Sequence, residues 1–219
     1  MLKSIIFVIA TSLLFWGCAA PTYFKDSSWT EQPTSVKVVY VDPTISNPKQ
    51  LTDGLPEYKD DFSKWFENVV TEKMNEESRK KVKTSVEKVD ASALSVQIVK
   101  LGEKDFEVPA YTNMDDADVY LVLNNIWFGS ESEEYMTVQG NQASEAMQTT
   151  PYSGVSAYNF FKAKAKYAFY DAKTGKVLAY GVKEGKASLR SVDVTGSDWD
   201  YATRGLIADI VAFTPVVQW

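Results

Sequence analysis

Histidine is absent from all 219 residues. That removes every mechanism needing an imidazole: the Ser-His-Asp triad, the Cys-His pair and helix-borne His-x-x-x-His zinc sites. Cysteine occurs once, at Cys18, so neither an intramolecular disulfide nor a thiolate cluster for zinc or iron–sulfur can form. Positive charge is in deficit, with 23 Lys and Arg against 29 Asp and Glu, a net charge of −6. A phosphate-binding surface built on bulk positive potential is excluded, and nucleic acid with it. Long apolar runs are missing too: the N-terminal one extends for about 14 residues, where a spanning helix needs about 20.

What is present describes a folded protein. Hydrophobic residues make up 45% and charged residues 24%, the balance of a globular chain rather than a disordered one. Aromatics reach 13%, and most of these large flat side chains belong in a core. The length fits one domain plus a tether.

Residues 1–17 carry a single charge, Lys3, followed by the uncharged apolar run. Gly17, a small residue, precedes Cys18, and Ala19, Ala20 and Pro21 follow. The only cysteine therefore stands where polarity changes. This segment resembles the lipobox signal of bacterial lipoproteins, with Phe15 and Trp16 replacing the usual aliphatic and small residues. The resemblance implies cleavage between Gly17 and Cys18 and acylation of Cys18 by palmitate-like chains. The mature chain would carry 22 basic and 29 acidic residues, a net charge of −7. Two or three acyl chains make a lasting anchor, each buried methylene adding about 0.8 kcal/mol. Ala19 occupies the place where, by the same analogy, Asp would retain the protein in the inner membrane. The expected location is the outer membrane, facing the periplasm.

Residues 18–34 lack periodicity and are rich in Pro, Ser and Thr, as a flexible tether would be. Residues 35–219 read as a single α+β domain, a mainly antiparallel sheet with two amphipathic helices packed on one face. Val36–Val41 is a β-branched, nearly continuous apolar strand. From Pro56 to Ser78, Phe62, Trp65, Phe66, Val69, Val70 and Met74 recur at three- and four-residue spacing, the mark of a helix with one buried stripe. Val82, Thr84, Val86 and then Leu94, Val96, Ile98 alternate as strands do. Asp118–Phe128 reads as a central strand and 129–156 as an inserted loop with one short helix. Phe161, Ala163, Ala165, Tyr167 and Phe169 alternate with Lys162, Lys164 and Lys166, giving a core face and a wet face. Asp171–Gly175 turns the chain into a partner strand, and Ser197 opens a last helix that stops before Pro215.

This order of elements, with its Asp-Ala-Asp-Val-Tyr-Leu-Val-Leu strand and its turn at Tyr-Asp-Ala-Lys-Thr-Gly-Lys-Val, resembles small periplasmic α/β lipoprotein modules. The amino-terminal domain of TolB and the curli-type CsgG lipoproteins are similar in outline. The resemblance implies an assembly or scaffold role at the envelope, and it transfers no binding residue.

Several residue groups carry possible chemistry. Asp115, Asp116 and Asp118 crowd together but lack the Asp-x-Asp-x-Asp-Gly calcium pattern, so no metal site is expected. Glu131, Glu133 and Glu134, with Asp198 or Asp200, supply carboxylates of the kind a glycoside hydrolase pairs. Trp127, Tyr135, Tyr152 and Trp199, with Tyr158, are aromatics in or beside loops that could stack on sugars or anchor a partner. The lysine stripe at 162, 164 and 166 keeps an exposed strand soluble. The reading that needs no special geometry is a non-enzymatic, membrane-anchored envelope lipoprotein that binds a protein or cell-wall glycan, with no cofactor. A carbohydrate-binding module and a carboxylate-dependent hydrolase stand as alternatives.

Overall fold

The computed structural model describes residues 23–101, 104–138, 153–191 and 193–217, without the side chains of 101, 104, 135–138 and 153–156. Nine strands form among the described residues: β1 (Tyr23–Lys25), β2 (Ser35–Tyr40), β3 (Thr44–Ile45), β4 (Lys83–Lys88), β5 (Leu94–Leu101), β6 (Lys104–Tyr111), β7 (Val119–Val138), β8 (Ser153–Asp171) and β9 (Val177–Ser188). Three α-helices accompany them: α1 (Pro48–Gly54), α2 (Phe62–Glu77) and α3 (Gly196–Val211). The main sheet runs β1-β9-β8-β7-β2-β4, with β3 on β7. Its long pairings, β7 with β8 and β8 with β9, are antiparallel, while β2 runs parallel to both β4 and β7. The α+β class and the predominance of antiparallel pairing agree with the sequence reading.

The helical segment begins later than its spacing predicts. Asn47 caps α1, its side chain accepting from Lys49 N at 3.1 Å, with Pro48 in the first turn. A 3-10 turn at Pro56–Tyr58 follows, and Asp61 then caps α2 by accepting from Lys64 N at 3.3 Å. The proline-initiated turn at Pro56–Tyr58 thus takes the first residues of the expected helix, and α1 forms ahead of it without any apolar stripe to announce it, because Pro fixes φ for a helical start but cannot accept a preceding turn. The predicted stripe of α2 is buried at Trp65, Phe66, Val69, Val70 and Met74. In α3 the Thr195 side chain and the Asp198 carboxylate close a capping box. The helix lies directly on β9, where a Cβ on Gly205 would approach Gly185 Cα to 3.3 Å. Arg204 ties α3 to α2 through Glu72 at 2.6 Å and Glu76 at 3.3 Å.

Both faces of the sheet are apolar. On the helix side lie Val36, Val38 and Tyr40 of β2, Leu121 and Leu123 of β7, and Phe161, Ala163, Ala165 and Phe169 of β8. On the opposite side Val39, Tyr120, Val122, Ala168, Tyr170 and Tyr180 form a second cluster with Val108 and Tyr111. That cluster is covered by the β5–β6 hairpin. Burial pushes the Tyr170 phenol up to about 12, and its hydroxyl donates to the Pro109 carbonyl at 2.9 Å, fastening the hairpin to the sheet. The outer surface of β5 leaves Val96 and Ile98 61% and 66% exposed, so alternation there does not mark a core face.

The segment read as a tether is part of the fold from Tyr23 onward. β1 pairs antiparallel with β9, Phe24 opposite Tyr180. Trp29 is buried, its ring 5.2 Å from that of Phe169. Asp26 holds Lys176 and accepts from Ser28 N at 2.8 Å, and Gln32 donates to the Val216 carbonyl at 3.1 Å. Three residues suffice to add an edge strand, so no hydrophobic period exists from which to read it.

Candidate functional site

A single irregularity sets the character of the exposed half of the sheet. Along β7, Val119, Leu121 and Leu123 face the helices, and strict alternation would send Trp127 there as well. The register shifts between Asn124 and Trp127. Asn125 takes a left-handed φ of 50°, and its N–H donates to Asn124 Oδ1 at 2.7 Å. Asparagine tolerates this conformation better than most residues, and one extra residue in a strand reverses its inside and outside. Ile126 and Phe128 therefore stay in the helix-side core, while Trp127, Gly129, Glu131 and Glu133 come out on the other face.

Those side chains meet the lysine face of β8 and β9. Trp127 stands opposite Lys164, Gly129 opposite Lys162, and Glu133 opposite Tyr158. Lys162 is only 5% exposed. Its amine reaches Glu133 at 2.5 Å, Glu131 at 3.0 Å and Glu184 at 3.9 Å. Lys164 bonds Glu131 at 2.6 Å, and Lys186 bonds Glu133 at 3.1 Å. Burial pulls the Lys162 ammonium downward, yet its hydrogen bonds to Glu133 and Glu131 outweigh this and leave it held strongly protonated. The Lys164 and Lys162 ammoniums beside Glu131 lower its carboxyl below the usual range. Sequence alternation reads this face as solvated; Lys162 is instead enclosed because carboxylates from β7 and β9 close over it.

Trp127 is half-buried. The Lys164 amine lies 5.0 Å from its ring centroid, and the edge of the indole rests on Gly129, where a Cβ would come within 2.5 Å of Cζ2. On that face a sugar ring would have to displace Lys164. Trp199 is no surface platform. It is fully buried, 4.6 Å from the Phe161 ring and 5.0 Å from that of Phe128, with its Nε1 donating to the Gln50 carbonyl at 3.3 Å. Trp199 shares the inward stripe of α3 with Ala202, Leu206 and Ile210, and that stripe, not the bulk of the side chain, carries it into the core. Tyr135 belongs to β7, in register with Ser156 of β8. Cys18, Gly17 and Tyr152 lie outside the described residues.

Four of the other sequence-named carboxylates are engaged elsewhere. Asp198 caps α3, and Asp200 bonds Arg204 Nε at 2.9 Å. Asp116 accepts from Lys37 at 2.7 Å and from the Tyr120 hydroxyl. Asp118 accepts from Thr34 N at 3.0 Å and Ser35 N at 3.2 Å, fixing the entry to β2. Among the described residues no group of three or more metal-ligating side chains converges. Glu131 and Glu133 do come together, but around lysines. A hydrolytic acid needs a carboxyl raised toward neutrality, and Glu131 is shifted the opposite way.

An open cavity of about 560 Å³ adjoins this face, lined by Lys186, Arg190, Asp193, Asp198 and Tyr201 among others. It lies between the end of β9 and the start of α3. Sequence reasoning named Asp198 of this group, but nothing in the spacing places Lys186 or Arg190 beside it.

No protein-family model and no curated relative matches the chain. Among solved structures it is similar to a neuraminyllactose-binding hemagglutinin homolog from Helicobacter pylori, 14% identical, with 84% of each chain covered and a TM-score of 0.37. It is also similar to PelC from Paraburkholderia phytofirmans, crystallised as a dodecamer, 11% identical over 91% of this chain and 100% of that one, with a TM-score of 0.39. Likeness at this level is one of outline and says nothing of what this chain binds.

Proposed function

We propose that this protein is an envelope lipoprotein, fastened to the outer membrane through acylated Cys18, whose periplasm-facing domain binds or scaffolds a protein or cell-wall partner without catalysis. The observation that carries the reading is the position of the sole cysteine. It follows an apolar export-type segment and lies five residues ahead of β1, so cleavage before Cys18 would remove nothing that the described fold uses. Glu131 and Glu133 neutralise lysines, consistent with a binding or structural face rather than an acid–base pair.

Intact-mass measurement of protein extracted from membranes tests the anchor. The expected product begins at Cys18 and carries two or three acyl chains, and Cys18→Ala is expected to move the protein into the soluble fraction. A free thiol at Cys18, or a different terminus, overturns the proposal. Cross-linking of the membrane-bound protein, compared with Cys18→Ala, then identifies the partner.

A further inference from the structure

One exposed apolar feature lies at the corner of the fold where the described chain begins. Tyr23, the first residue of edge strand β1, is 43% exposed, and Phe213, just beyond α3, is 60% exposed. Their rings stack, with centroids 6.0 Å apart and planes 14° from parallel. The Lys183 amine sits 4.8 Å from the Tyr23 ring and 5.9 Å from that of Phe213. Phe213 is not outward because its segment is loose. On one side Ala212 N donates to the Ala208 carbonyl at 2.9 Å; on the other Thr214 Oγ1 donates to the Val211 carbonyl at 2.8 Å, and Val216 is fully buried. The backbone is pinned on both sides while an aromatic ring is held toward water.

We infer that Tyr23, Phe213 and Lys183 form a bilayer-docking corner that seats the domain against the lipid headgroups. The inference rests on the lipid anchor proposed above. Four residues separate Cys18 from Tyr23, and the five residue steps between them, fully extended, reach roughly 18 Å at most. The polar zone of one leaflet is itself about 5–8 Å deep. An acylated Cys18 therefore confines this corner to the membrane surface, whereas a tether running to Thr34 would have let the domain swing clear. The chemistry matches the location. Tyrosine and phenylalanine rings settle at the interface between headgroups and acyl chains, and a lysine stem lies along apolar surface while its amine reaches phosphate. The mature chain's net charge of −7 disfavours contact elsewhere on the molecule with anionic lipid, so Lys183 beside the aromatic pair also selects which side faces the bilayer.

The test uses the lipidated full chain in vesicles of phosphatidylethanolamine and phosphatidylglycerol. Phe213→Cys is labelled with an environment-sensitive fluorophore; Tyr201→Cys, on the first turns of α3 and 71% exposed in the native protein, is the reference. An acylated Cys18 sulfur does not react with the label. A blue shift and quenching by brominated lipid at 213 but not at 201, reduced by Tyr23→Ser, supports docking. Vesicle flotation with no shift at 213 overturns docking and leaves the anchor intact. Failure to float, with Cys18 taking up label, overturns both. A shift without vesicles that grows with protein concentration overturns docking in favour of a second copy of the chain.

Discussion

At the scale of single residues, ionisation explains more than identity. Lys162 is nearly enclosed, yet it is charged because three glutamates surround it. Removing a buried charge from water is expensive unless partners and hydrogen bonds replace the solvent. Glu131 is the partner shared between Lys162 and Lys164. Its folded carboxyl titrates below its ordinary 4.5, so between those two values the unfolded chain binds more protons and stability rises with pH. The contribution is complete above about 4.5 and is lost as pH falls through the lower, folded value. Denaturant midpoints measured across this acid range are expected to fall less steeply for Glu131→Gln than for the unaltered protein. Parallel curves would show that Glu131 does not carry the acid limb.

Among elements, β7 decides most. Its Asn124-Asn125 kink exchanges the strand's faces midway, so one continuous strand buries Leu121 and Phe128 on the same side although their spacing is odd. The pair of asparagines amid β-formers is the sequence signal for this, since few other residues accept a positive φ. Asn125→Gly is expected to be tolerated. Asn125→Val, strained at φ 50°, is expected to cost about 1–2 kcal/mol and lower the thermal midpoint, with Trp127 fluorescence reporting any turn of the strand toward the core. Equal stability of the two variants would mean that the bulge relaxes freely. The extension of β7 and β8 through 130–138 and 153–160 was not legible from composition, because Ser, Glu and Gly there mimic loop residues. Those residues form strand because each strand satisfies the other's backbone along the ladder.

For the molecule as a whole, the sheet needs two covers. Helices α2 and α3 are visible in sequence through their 3.6-residue period, whereas the β5–β6 hairpin is visible only as strands and not as a lid, since its apolar side is set by where Tyr170 and Tyr180 wait beneath it. The N-terminal segment likewise joins the fold through Trp29, not through any period. Trp29→Ala is expected to destabilise the domain by about 3–5 kcal/mol, as for other buried aromatic truncations, measured by denaturant unfolding. A residue in a mere tether would change stability by no more than a few tenths, and that outcome would free the domain from its short leash. Sequence alone determined the class of fold, the buried stripe of α2, the core alternation of β8 and the exclusion of imidazole and multi-thiol chemistry, because these depend on composition and on local period. Tertiary structure alone decided that Trp199 lies inside, that Lys162 is enclosed by carboxylates, and that Tyr23 and Phe213 meet at one corner. Each of these depends on which distant strands and helices are brought side by side, and spacing along a chain carries no record of distance across it.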